Sequence, residues 1–129
     1  MVAEKLEAMV LLGEANSRMK DFYDLWFLSR NFDFDGETLV TAIRATFNRR
    51  MTPLPTTLPT GLRDEFSVHK TVQWNAFQRK NRLGENTMEH ILRAIRDFAG
   101  KPLHAASCGN HFAQLWKPDY GWSDALPAQ

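Results

Sequence analysis

The stretch Asn16-Ser17-Arg18-Met19-Lys20-Asp21-Phe22-Tyr23-Asp24-Leu25-Trp26-Phe27-Leu28 sets Lys20, Asp21 and Asp24 within one of the most apolar parts of the chain. An unpaired charge is expensive to bury. Charges kept in such company pair with each other, bind something, or face a cleft. Asp21 and Asp24 lie three residues apart and share a helix face, with Lys20 one turn from Asp24. Together with Arg18 and the more distant Lys5, they combine carboxylates and cations as phosphate and metal–nucleotide sites do. On spacing alone an ordinary ion network explains them equally: an acid near a helix start is favoured by the macrodipole, and Arg18 or Lys20 can pair with it.

Two further groups invite chemistry. His104, Cys108 and His111 are offset by four and three residues, a metal-ligand pattern if one helix carries them. Gly109 interrupts that continuity and a fourth ligand is missing, so a buried structural cysteine with two surface histidines is the expectation. Basic residues gather at Arg44, Arg49 and Arg50 and again at Arg79, Lys80 and Arg82, the second run near Trp74 and Phe77. Such a run could face nucleic acid, but cations at helix C-termini are explained by the dipole. These runs read as solvated helix ends. The chain shows no Gly-rich phosphate loop, nucleophile elbow, zinc-finger spacing or HExxH.

Composition narrows the class. The chain has 129 residues, 43% hydrophobic and 24% charged, enough for one modest core. A net charge of +1 supplies no global attraction to nucleic acid or membrane. The one cysteine forbids an internal disulfide and fits a reducing compartment. The first residues have no apolar signal core, and no apolar run is long enough to span a bilayer. These features predict a cytoplasmic protein with no membrane contact. Nine Phe, four Trp and two Tyr are a heavy aromatic load. The segment 22–28 is hydrophobic nearly all round and needs covering on every side, which predicts a homo-oligomer or a neighbouring N-terminal domain.

The elements that must position these residues are helical. Ala3, Leu6, Met9, Val10 and Leu12 predict a helix over 2–12 stopped by Gly13. Asn16 or Ser17 caps a second helix to about Arg30. Residues 31–36 form a turn, with a short strand as the alternative reading. Asp35 caps a third helix to about Arg50. Three prolines make 52–60 an extended linker; a short helix near 62–67 and a longer one at 70–82 follow. Asn86 and Glu89 resemble a capping box for a helix over 87–99, ended by Gly100 and Pro102. One more helical segment follows Leu103, before Pro118, Gly121 and Pro127 break regularity. The expected fold is all-α, a helical bundle in two clusters, 1–51 and 61–129, joined by the 52–60 linker.

Ala3-Glu4-Lys5-Leu6-Glu7-Ala8, Gly13, Ala15-Asn16-Ser17-Arg18 and Lys20-Asp21-Phe22-Tyr23-Asp24-Leu25-Trp26 resemble the AbiEii-type nucleotidyltransferase family, the toxins of abortive-infection toxin–antitoxin systems. The likeness extends more loosely through Phe32–Gly36, the Thr-Pro-Leu-Pro linker and Trp74-x-x-Phe77. In that family an AEK helix and a K-D-x-x-D-L helix follow a polymerase-β-like core. The resemblance makes Lys5 a phosphate-contacting cation and Asp21 its acidic partner, with Arg18, Lys20 and Asp24 in nucleotide-binding or supporting roles. It reverses the weighting of the first constellation toward a site.

The family's chemistry begins with a Gly-Ser and paired acids that hold magnesium on a preceding sheet, and this sequence contains no such pair. The resemblance therefore implies the C-terminal helical portion of a nucleotidyltransferase toxin, truncated and inactive alone. No cofactor is expected in this chain by itself, and magnesium in the intact enzyme. A nucleoside triphosphate, an RNA acceptor and an antitoxin protein are the implied partners. The alternative is a self-contained helical interaction module that forms a homodimer or binds a partner protein.

Overall fold

Ala3, Leu6 and Met9 repeat at helical spacing and place one face of α1 (Val2–Leu12) in the core. The fold is that of a computed structural model describing residues 1–124. A 3₁₀ turn at Gly13–Ala15 leads to α2 (Met19–Asn31), where Phe22 and Leu25 are fully buried. The N-cap of α2 is Arg18, not Asn16 or Ser17, and it has no side-chain cap; Asn16 ties the preceding turn, its Oδ1 accepting the Arg18 N–H at 2.9 Å. Strand β1 (Phe34–Asp35) precedes α3 (Gly36–Arg49). Asp35 caps α3 as expected, its Oδ2 accepting from the Thr38 N–H at 3.1 Å. A 3₁₀ turn at Thr60–Leu62, α4 (Asp64–His69), α5 (Thr71–Asn81) and α6 (Met88–Cys108) follow.

The chain is mostly helical, as expected, but a small sheet accompanies the helices. Strand β2 (Gln114–Lys117) pairs antiparallel with both β1 and β3 (Gly121–Asp124), in the order β1-β2-β3. The strand alternative at residues 31–36 is therefore the one that forms; the helical segment expected after Leu103 is the end of α6, and the chain beyond it is a hairpin. Pro127 lies outside the described residues.

Two helix boundaries also differ. The α6 N-cap is Thr87, whose hydroxyl accepts the His90 N–H at 3.0 Å. Asn86 instead packs against α5, its carbonyl accepting from Trp74 Nε1 at 2.7 Å and Gln78 Nε2 at 2.8 Å. At the other end α6 runs through Gly100 and Pro102 to Cys108 and closes on Gly109 at φ 70°. Pro102 has no N–H for the Phe98 carbonyl one turn earlier. The indole Nε1 of Trp122, on β3, donates to that carbonyl at 2.8 Å instead.

Helix α6 is the centre of the molecule, packed against α2, α3 and α4. Leu6, Phe22, Ile43, Phe66, Ile91 and Phe98 are fully or almost fully buried in one core. Helices on both sides of 52–60 thus share that core, in place of two separately packed clusters. Leu54 and Leu58 of the proline-rich segment pack against it. Among the described residues no helix is long and apolar enough to cross a membrane.

Candidate functional site

Packing of α1 beside α2 brings Lys5 to the acidic edge of α2. Its Nζ lies 3.2 Å from Asp21 Oδ1 and 3.0 Å from Asp24 Oδ2. These carboxylates are 16 and 19 residues away in sequence and one helical turn apart in space. Arg18 Nε sits 3.2 Å from Asp21 Oδ2, and Lys20 Nζ donates to Asp24 Oδ2 at 2.8 Å. All five residues singled out for the site are therefore in one network. Lys5, Asp21 and Asp24 are 18%, 15% and 23% exposed and form its half-sheltered centre, with Arg18 and Lys20 outside it.

The electrostatics follow from that shelter. Burial disfavours the Lys5 ammonium, but its hydrogen bonds to Asp24 and Asp21 outweigh the penalty and hold it above the ordinary lysine value. Burial likewise works against the Asp24 carboxylate, and Lys20 and Lys5 together hold it below the usual carboxylate range. Lys5 thus stays an ammonium at neutral pH, fixed in place by two anions. Such a preorganised cation suits charge stabilisation more than proton transfer.

Lys5, Arg18 and Asp21 open onto a cleft of about 300 Å³ that Glu4 and Arg50 also line. Glu7, almost fully buried on α1, belongs to its framework: Oε1 pairs with Arg50 Nη1 at 3.2 Å and Oε2 accepts the Thr52 hydroxyl at 2.6 Å. The sequence reading does not single out Glu7 or Thr52. The available signal is a carboxylate inside the apolar run Leu6–Val10, which requires a partner.

The other two constellations come apart. His104 Nε2 lies 3.7 Å from Cys108 Sγ on α6. His111, past the turn at Gly109, faces Glu37 Oε2 at 3.3 Å. Cys108 is exposed, not the buried structural cysteine expected, because it falls at the last turn of α6 on its solvent side. Among the described residues no group of three or more His, Cys, Asp and Glu is placed to hold a metal ion. In the basic runs, Arg49, Arg79, Lys80 and Arg82 are solvated as expected. Arg44 is not: its guanidinium donates to the carbonyls of Ala105, Ala106 and Asn110 and caps the C-terminal end of α6.

Residues 1–101 match the family model described as "Nucleotidyl transferase AbiEii toxin, Type IV TA system". No curated protein and no solved structure matches the chain.

Proposed function

The chain belongs to the AbiEii nucleotidyl transferase toxin family, and from that premise we propose that it is the helical portion of such a nucleotidyltransferase. In this proposal Lys5 holds the phosphates of a nucleoside triphosphate and Asp21 is its acidic partner. Arg18 adds a cation at the mouth of the cleft, while Lys20 and Asp24 steady the centre. One observation carries the proposal: two motifs far apart in sequence converge, with Lys5 Nζ within 3.2 Å of a carboxylate oxygen of both Asp21 and Asp24. A merely solvated face would not hold an ammonium between two half-sheltered carboxylates.

The family's chemistry draws on magnesium, and the residues of this chain do not fit it. Asp21 and Asp24 are both taken by ammonium or guanidinium groups. We therefore infer that the metal-holding acids are not supplied by these 129 residues and that the chain is inactive by itself. The family description names a toxin–antitoxin system, which points to an antitoxin as partner. An RNA acceptor and a cytoplasmic site of action are part of the same proposal.

The purified chain is expected to bind ATP or another ribonucleoside triphosphate and to lose that binding in Lys5→Gln, while transferring no nucleotide to RNA with magnesium present. Transfer by the chain alone would overturn its inactivity; equal binding by wild type and Lys5→Gln would overturn the role of Lys5. A second reading, a helical module that self-associates or binds another protein, is favoured by Val68 on α4 and Val72 on α5, which flank the break at Lys70 and are 73% and 78% exposed. It predicts a stable oligomer with no nucleotide affinity, which light scattering beside the same titration separates.

A further inference from the structure

Arg50 closes α3 on the wall of the cleft that holds Lys5 and Arg18. Its Nη1 is anchored on Glu7, whose side chain is only 2% exposed and whose other oxygen is held by Thr52. A buried carboxylate tolerates little freedom in its partners, because losing one leaves an uncompensated charge. The guanidinium is thus fixed at one corner. Among the described residues its other N–H donors make no hydrogen bond, in a group that carries five. Lys5 has spent two of its three donors on Asp21 and Asp24 and keeps one. Among the described residues the Arg18 guanidinium is tied only through Nε.

We infer that Arg50 is a further phosphate-binding residue of this cleft, positioned by Glu7 and Thr52, so that Lys5, Arg18 and Arg50 grip a polyphosphate chain together. The inference rests on the cleft being the nucleotide site. Glu4 and Asp21 line the same cleft, but Glu4 is paired with the Met1 amine and Asp21 with Lys5 and Arg18, so much of the wall's charge is spent within it. Affinity must then come from direct contacts, and the loss of one fork-shaped donor set is felt in full.

The test is calorimetric titration of the 129-residue chain with inorganic triphosphate at low ionic strength. Lys5→Gln and Arg50→Gln are each expected to weaken binding about tenfold or more, and Arg79→Gln, a solvated cation elsewhere, to leave it unchanged. Arg50→Gln strands the buried Glu7, so the double variant Glu7→Gln with Arg50→Gln is measured beside it. That pair leaves no buried carboxylate unpaired and is expected to bind as weakly as Arg50→Gln alone. Glu7→Gln keeps the guanidinium but releases its anchor, and its affinity falls between. Wild-type affinity in both Arg50 variants, with binding lost in Lys5→Gln, would overturn the role of Arg50 and leave the cleft as the nucleotide site. Binding that is absent in wild type, or unmoved by Lys5→Gln, would overturn the cleft itself and Arg50 with it.

Discussion

A single lysine shared between two carboxylates makes the site sensitive to pH in a direction the geometry fixes. The Asp24 carboxyl is held below its unfolded value of 3.8, so its stabilisation is complete above that value and drains away as pH falls toward the folded pKa. The Lys5 contribution has the opposite sign: it is complete below 10.5 and is lost as pH rises through the raised lysine value. Asp24→Asn removes the first effect. It is expected to cost about 1 kcal/mol at neutral pH, the scale of a partly sheltered charged hydrogen bond. Its urea midpoint should also fall less steeply than that of wild type between about pH 5 and pH 3. Parallel curves for the two proteins would show that Lys5 and Lys20 do not depend on this carboxylate. Asp21 retains Lys5 and Arg18 in that variant, so the network should thin and not collapse.

At the scale of elements, the most informative one is α6, because a proline inside a helix should break it. Pro102 leaves the Phe98 carbonyl without its usual donor, and the Trp122 indole on β3 supplies one from 24 residues away. Trp122→Phe keeps a smaller aromatic ring in contact with Phe98 and removes the donor. It is expected to cost about 1–3 kcal/mol, the penalty of a sheltered carbonyl left unpaired. Pro102→Ala restores a main-chain N–H to the same carbonyl, so the double variant should be more stable than the sum of the two single changes. Strict additivity in urea denaturation would break the link between proline and indole.

The same bond marks the boundary of what the sequence makes legible. Helix α1, the Asp35 cap and the one-face placement of Asp21 and Asp24 depend on neighbours within a turn or two, and they follow from spacing. The continuation of α6 depends on a tryptophan in a four-residue strand that has almost no periodicity of its own. Local signals at Gly100 and Pro102 point the other way. The burial of Glu7 is equally remote, since its partners Arg50 and Thr52 lie 43 and 45 residues on. The Lys5 contacts, 16 and 19 residues on, are nearer but still join two different helices, and only the likeness of the motif to a known family brings them forward.

Over the whole molecule, the family match ends at residue 101 while the core does not. Trp116 on β2 is 5% exposed, lies edge-on to Phe98 at 5.0 Å between ring centroids, and donates from Nε1 to the Ser29 carbonyl at 2.7 Å. Ser29 belongs to α2, the helix that carries Asp21 and Asp24. Glu37, at the start of α3, accepts the Phe112 N–H. Gly36 beside it leaves no room for a Cβ, since the Gln114 carbonyl and the Phe112 ring would both stand 2.6 Å away. The hairpin is thus built onto α2 and α3, two of the three helices that supply the cleft. Removing one buried tryptophan costs about 3–5 kcal/mol, a large part of the roughly 5–15 kcal/mol that holds a domain folded. A fragment of residues 1–101 loses that ring, the Arg44 cap on α6 and the donor to Phe98 together. It is expected to keep helical far-ultraviolet dichroism, lose its near-ultraviolet signal and unfold in urea without a cooperative transition. Triphosphate binding should vanish with the tertiary signal even though Lys5, Arg18, Asp21 and Arg50 are all retained. A fragment that unfolds as steeply as the full chain and still binds would make the matched segment its own folding unit, with the hairpin an appendage to the site.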